Sequence, residues 1–418
     1  MTAATVADAG GGQAVACHDC GQLHRVVELR PGAAARCTRC GALLYARHRL
    51  GLDGVIALYL TAVILLLIAL STPFITLNIE GLGETSALWS GVTALWRAGM
   101  PPLAVVVLFA VVLAPAARLI CALWVILPLR LGYRPWRAVL LLATLDRLRP
   151  WAMLEVYLLA ALVSYVKLRD LAEVEMGAGL WALAAAIVTI AAAEAALDER
   201  EIWDRLQPQA TLAAARGRPG GVTLDCHTCG QLVVVPAGAV HPHCPRCHGA
   251  LHRRKPGSLA RAWALLLAAV IFYLPANLYP VMDFVYLGSG APQTILQGVS
   301  FLLHEGLWPL AALIFFASVL IPVLKIVVLS LLLLGVQRGW VGGERPRTQL
   351  YRIVEGVGRW SMVDVFVIAI LVALVQLGSL ATITPGVGAI AFCLVVILTM
   401  LAATAFDPRL IWDVRDAR

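Results

Sequence analysis

The sequence predicts an all-α polytopic membrane protein made of two tandem parallel repeats, each a small four-cysteine module followed by four transmembrane helices. Three observations predict it. The 418 residues are 60% hydrophobic and only 14% charged, with mean hydropathy +0.83, against roughly 45–50% apolar and 25% charged in soluble domains. A near-identical heptapeptide occurs twice, CHDCGQL at residues 17–23 and CHTCGQL at 226–232, each ahead of long apolar sequence. The basic residues gather in loops that always fall an even number of apolar stretches apart.

The elements follow in order. The first fifteen residues, MTAATVADAGGGQAV, lack the basic and apolar runs of a secretory leader, and residues 1–16 are expected to be a flexible tail. The first module, 17–50, holds Cys17 and Cys20 with Cys37 and Cys40; the second, 206–255, holds Cys226 and Cys229 with Cys244 and Cys247. Two C-x-x-C pairs about 15 residues apart have the spacing of a tetrahedral four-thiolate site, each pair supplying two ligands from one tight turn. A hairpin between the pairs is expected to bring the second turn opposite the first. Gly21, Gly41 and Gly230 directly follow their second cysteines, where such a turn favours φ > 0, while Gly249 comes one residue late, after His248. Each module is therefore expected to be a four-cysteine zinc ribbon with one structural Zn2+, which supplies folding energy that so small a core cannot. His18, His227, His243 and His248 lie nearby, but four thiolates already fill the site. Disulfides are disfavoured where thiols stay reduced, and a redox centre does not explain two pairs per module. The other thiols, Cys121 and Cys393, fall in apolar stretches and are expected to pack.

Eight windows reach the length that a bilayer core requires: 53–73, 101–128, 150–168, 179–197, 259–279, 308–335, 360–381 and 386–406. They divide into transmembrane unit 1 at 51–205 and unit 2 at 256–418. Lys and Arg orient the bundle. The loops 1–50, 129–150, 198–261, 337–359 and 407–418 hold 28 of the 33, all on one side. That side is the cytoplasm, with both termini on it. The formal net charge of +8 is then a topology signal, and no nucleic-acid partner is expected.

A slide of 207 residues aligns GVTALWRAGMPPLAVVVLFAVVLAPAARLI with GVSFLLHEGLWPLAALIFFASVLIPVLKIV, pairing Pro115 with Pro322 and Arg118 with Lys325. A slide of 209 aligns RPWAMLEVYLLAALV with GRWSMVDVFVIAILV and LDEREIWD with FDPRLIWD, pairing Glu155 with Asp364. Four helices per unit is an even number, so the repeats run parallel.

Ionisable residues inside the membrane are costly and default to function. Ser318 and Lys325 share a face of the sixth helix, Ser361 and Asp364 a face of the seventh, and Thr399 lies in the eighth. Together they are expected to form a polar pocket in which Lys325 and Asp364 exchange protons. The first-half equivalents are Val111, Arg118, Ala152, Glu155 and Ile190; here Arg118–Glu155 is expected to be a structural ion pair, since Arg does not give up its proton. Lys167 and Glu194, near helix ends, need no mechanism. The outer segments 78–100 and 280–307 carry extended pieces expected to form small sheets. No phosphate-binding G-x-x-x-x-G-K-[ST], serine elbow or HExxH occurs, so the chain is not expected to be an enzyme.

The doubled ribbon-plus-four-helix unit, with CHTCGQL, LPANLYPV at 274–281 and a terminal FDPRLIWD, resembles the paraquat-inducible protein A family over roughly residues 17 to 413. The first half departs from it, with STPFITLNI for LPANLYPV. The resemblance implies a bacterial inner-membrane protein that works with a periplasmic MCE-domain partner, whose tunnel carries phospholipid toward the outer membrane. The competing expectation is a scaffold that anchors that partner without transporting. A membrane thiol oxidoreductase is the third.

Overall fold

The computed structural model describes residues 14–416 apart from 49, 80–81, 134, 170–172, 208–220, 237, 240–241, 287–288, 305, 307 and 376–380. The expected tail lies outside them up to residue 13. Its last three residues are ordered instead, as a strand.

In the first module, β1 (Ala14–Ala16) pairs with β2 (Leu23–Arg25), and β3 (Ala34–Arg36) with β4 (Leu43–Ala46), both antiparallel. Each C-x-x-C is thus the turn of its own hairpin, in place of the single hairpin expected between them. Gly21 and Gly41, at φ +72° and +76°, reverse the chain so abruptly that the strand leaving each knuckle folds back on the one entering it.

Unit 1 runs α1 (Leu52–Ser71), β5 (Ile75–Ile79), β6 (Leu82–Ser86), α2 (Ser90–Arg97), α3 (Pro101–Leu108), α4 (Ala114–Arg130), α5 (Ala138–Leu148), α6 (Leu154–Leu168), β7 (Glu173–Met176), α7 (Ala178–Ala196) and α8 (Glu199–Leu206). The second module contributes β8 (Gly221–Asp225) and β9 (Leu232–Pro236). Unit 2 runs α9 (Ser258–Leu278), β10 (Met282–Tyr286), β11 (Ser289–Gln293), α10 (Ile295–His304), α11 (Trp308–Phe315), α12 (Ile321–Gln337), α13 (Glu344–Val357), α14 (Val363–Leu374), β12 (Ala381–Pro385), α15 (Val387–Ala405) and α16 (Leu410–Asp416).

Among the described residues, seven helices are long and apolar enough to cross a membrane: α1, α3–α4, α7, α9, α11–α12, α13–α14 and α15. The segment expected to be the third span yields only α6, 15 residues long, because Pro150 and a turn over 149–151 replace its first helical turn. Large apolar side chains on the outer faces of α1 and α9, such as Ile64, Leu67, Ile271 and Leu274, are exposed and face the lipid.

The chain is mostly helical but not all-α, and its strands repeat with the duplication. Each unit carries a three-stranded antiparallel sheet, ordered β6-β5-β7 in the first and β11-β10-β12 in the second. Each long helix that enters α4 or α12 contains one π-helical stretch, Phe109–Leu113 and Phe316–Leu320. There the N–H of Ala114 bonds the Phe109 carbonyl, and that of Ile321 the Phe316 carbonyl. Pro115 and Pro322 follow at once; a proline has no N–H to give, and the wider turn accommodates it. Each sheet is locked to the helix behind it by a glycine. A Cβ on Gly177 would stand 2.1 Å from the Pro73 carbonyl, and one on Gly386 2.2 Å from that of Pro280, distances no side chain tolerates.

Helix α14 is the centre of the bundle, with nearly every side chain buried. It packs on α6 and on α2, with Tyr157 edge-on to Phe366 at 5.6 Å.

Candidate functional site

Two buried groups of four cysteines each bring their sulfurs within 4.8 Å of one another. In the first, Cys17 and Cys40 are 3.5 Å apart, as are Cys20 and Cys37; in the second, Cys226–Cys247 is 3.3 Å and Cys229–Cys244 3.6 Å. All four knuckles share one hydrogen-bond pattern, the amide four residues on donating to the carbonyl of the first cysteine: Gly21 to Cys17, Gly41 to Cys37, Gly230 to Cys226 and His248 to Cys244, at 2.8–2.9 Å. In the fourth knuckle His248 itself takes φ +57°. The displaced Gly249 is needed for room instead, since a Cβ there would sit 3.2 Å from the Cys247 sulfur. The Cys20 thiol donating to Cys17 brings Cys17 down to about 5, against the opposing effect of burial and with help from the amides of Asp19 and Cys20. Preformed knuckles and converging sulfurs are what a thiolate-binding metal requires. His24 and Arg352 approach the first group, with His24 Nε2 3.2 Å from Cys37 Sγ and Arg352 Nη2 donating to Cys40 Sγ at 3.2 Å.

Neither module packs on its own unit alone. The first packs its cysteines and Ala42 into a core formed with α9, α12, α13 and α16 of unit 2, including Leu329, Tyr351 and Trp412. Arg352 of α13 bonds Asp19 across this contact. The second packs with Ile202, Trp203 and Leu206 of α8, at the end of unit 1. The two dockings are reciprocal. The third residue of the second knuckle is arginine in both modules, Arg39 lying over the Trp412 ring at 4.5 Å and Arg246 over Trp203 at 5.6 Å. Module 1 thereby closes the chain onto its far end. FDPRLIWD is the junction: buried Asp407 accepts from the amides of Lys255 and Arg409, and Arg409 bonds Asp225 at 2.6 Å and His227 at 2.9 Å in the second module.

The expected polar pocket is drawn out into a strip. Ser318, Lys325, Ser361, Asp364 and Thr399 are all buried, but Lys325 and Asp364 do not meet. Helices α12 and α14 run in opposite directions, so Ser318 faces Asp364 while Lys325 lies about 10 Å away, where its Nζ reaches the Gly358 carbonyl at 3.5 Å. Gly358, Ser361 and Asp364, spaced by three, line one face. The Thr399 hydroxyl is spent on the Val396 carbonyl at 3.0 Å. Ser361 Oγ has no hydrogen-bond partner among the described residues, and Ser318 Oγ and the Asp364 carboxylate have only a loose contact with each other. Leaving a buried polar atom unpaired costs about 1–3 kcal/mol, so the strip is a place the fold leaves polar against its own stability.

The charge that Asp364 does face is Lys167 of unit 1. Both border a cavity with Thr294, Gly298 and Ile314. Sequence reasoning gave Lys167 no role, since the pairing crosses the two halves. In unit 1, Arg118 pairs with Glu194 at 2.6 Å and not with Glu155. Glu155 lines the same small cavity, as does Arg359 of unit 2. Position 194 lies on α7, whose packing against α1 and α6 no sequence alignment of the halves reveals, because its match in unit 2 is Ala403.

The family profile described as "Paraquat-inducible protein A" matches residues 52–207 and again 259–416, once per transmembrane unit. The "Intermembrane transport protein PqiA" of Escherichia coli is 36% identical over 406 residues, covering 96% of this chain and 95% of that protein. The "Lipophilic envelope-spanning tunnel protein A" of Escherichia coli is 32% identical over 404 residues, 96% and 91% of the two chains. The "Probable intermembrane transport protein" of Haemophilus influenzae is 30% identical over 397 residues, 93% and 92%. No solved structure matches. The chain belongs to the paraquat-inducible protein A family.

Proposed function

We propose that this member of the family moves phospholipid between the bacterial inner membrane and a periplasmic MCE-domain partner, loading or unloading that partner's tunnel. The observation that carries the reading is the poorly paired polar strip through unit 2. It runs from Lys325 past Ser361 to Ser318 and Asp364, in an otherwise apolar bundle, with a cavity at each end. Relatives named for intermembrane transport support it. In this reading α6 is the eighth span, both termini are cytoplasmic, and the two three-stranded sheets face the periplasm and the partner. Asp364 takes up and releases a proton, opposite Lys167, as the headgroup passes.

Each four-cysteine group holds one structural Zn2+, bound by Cys17, Cys20, Cys37 and Cys40 or by Cys226, Cys229, Cys244 and Cys247. The metal supplies folding energy to its module. The reciprocal docking turns that energy into a clamp between the units. No nucleophile or open metal position is needed, and the protein is not an enzyme in this reading.

The test is transfer of labelled phospholipid in cells that carry Lys325→Ala or Asp364→Asn at normal protein levels. Loss of transfer in both is expected. Full transfer in both would make the strip structural and the protein a scaffold for its partner.

A further inference from the structure

A second cavity, of about 250 Å3, lies at the other end of the strip from Asp364. Its wall joins both units: Arg149 from the end of α5, Lys325 of α12, Arg352 of α13, and Arg359 of the turn before α14. Glu355 is the one carboxylate among its lining residues, and it lies near Lys255. Arg352 is committed to Asp19 and Cys40. Lys325 is 2% exposed, and its Gly358 contact sits at the limit of a hydrogen bond. A buried ammonium so poorly paired favours any anion able to reach it.

We infer that this cavity binds the phosphate of a phospholipid headgroup drawn from the cytoplasmic leaflet. Guanidinium groups match phosphate oxygens in pairs, and Arg149 and Arg359 line the same cavity as Lys325. Val354, Met400 and Ala403 form an apolar wall beside the cations, suited to the glycerol and the start of the acyl chains. Trp360, next to Arg359, is 43% exposed; an outward-facing Trp there fits the level of the lipid headgroups. Two units meet at this site, so occupancy ties α5 of the first to α13 of the second. The choice of a lipid over free phosphate rests on the transport proposal. The anion site itself does not.

The test is native mass spectrometry of the full chain, purified in neutral detergent and offered phosphatidylglycerol or inorganic phosphate. The wild-type chain is expected to retain phosphatidylglycerol. Arg149→Gln and Arg359→Gln should each lower retention by about tenfold, the loss of one charge-assisted contact. Gly356→Leu, at a position with no atom within 4 Å of a new Cβ, should plug the cavity and lower retention while every cation stays. Asp364→Asn, outside the lining, should keep retention even where transfer is lost, so that failure of the site and failure of transport are told apart. Capture of inorganic phosphate with no retained lipid would overturn the lipid assignment. Unchanged retention in all three cavity variants, folded as judged by melting, would overturn the site.

Discussion

Gly91 and Gly298 are the same position in the two repeats, yet their surroundings are opposite. In unit 1, α2 lies directly on α14, and a Cβ on Gly91 would stand 3.1 Å from the Ala369 carbonyl. In unit 2, Gly298 meets nothing within 4 Å and borders the cavity of Lys167 and Asp364. The buried charges divide the same way. Arg118 has an ion pair with Glu194, its Nε being left without a partner among the described residues, whereas Lys325 has only a marginal carbonyl and Asp364 an oxygen without a partner among them. One copy of a duplicated unit closes its buried charge with an ion pair; the other does not. Helix α14 is the reason, since a single central helix cannot pack identically against both halves.

The largest effects test the reciprocal clamp. Structural zinc contributes about 10–16 kcal/mol in small modules, so Cys40→Ser should cost one zinc and expose α13 of unit 2 to proteolysis. Cys247→Ser should instead loosen α8 of unit 1, together with α16, whose neighbour Arg409 bonds Asp225 and His227. If Cys40→Ser loosened α8 and spared α13, the docking described above would be wrong. Next comes the closed pair. Glu194→Gln leaves Arg118 buried without its carboxylate and should destabilise by about 3–5 kcal/mol, read as a fall in melting temperature. Glu155→Gln should do much less, and equal falls would restore the Glu155 pairing.

Smaller changes sharpen the comparison of the two glycines. Gly91→Val pushes against backbone and should cost about 1–3 kcal/mol in chemical denaturation. Gly298→Val should leave stability nearly unchanged and narrow the cavity, so its effect belongs in lipid transfer. A similar stability loss at both would show that the second cavity closes. The smallest effect is expected of Arg39→Gln, which removes a cation from the face of Trp412 at a cost of about 1 kcal/mol, seen as faster amide exchange in α16.

Much of this architecture was legible in the sequence because it rests on local signals. Apolar length gave six of the eight expected spans within two residues, and for the seventh, expected at 360–381, a helix that runs from Glu344 to Leu374 with a strand beginning at Ala381; C-x-x-C spacing located both thiol groups, and offsets of 207 and 209 revealed the repeat. The misses share a cause, which is that packing between segments distant in sequence leaves no local mark. Helical periodicity groups Ser318 with Lys325 and Ser361 with Asp364, but only the antiparallel register of α12 and α14 sets Ser318 against Asp364. Lys167 looked like a residue near a helix end, because its partner is 197 positions away. Some missed features did leave a trace. Pro115 and Pro322 inside long apolar runs signal the π-helical stretches, and the paired Gly177/Gly179 and Gly386/Gly388 signal close backbone contact.

Photo-crosslinking at the matched positions Ser318 and Val111, in cells labelled with radioactive phosphate, compares the two units most directly. If unit 2 is the open one, a phospholipid adduct forms at position 318 and is absent at 111 in equally abundant, zinc-loaded protein. Equal adducts at both positions, or none at 318, would contradict the division between a closed first unit and a conducting second.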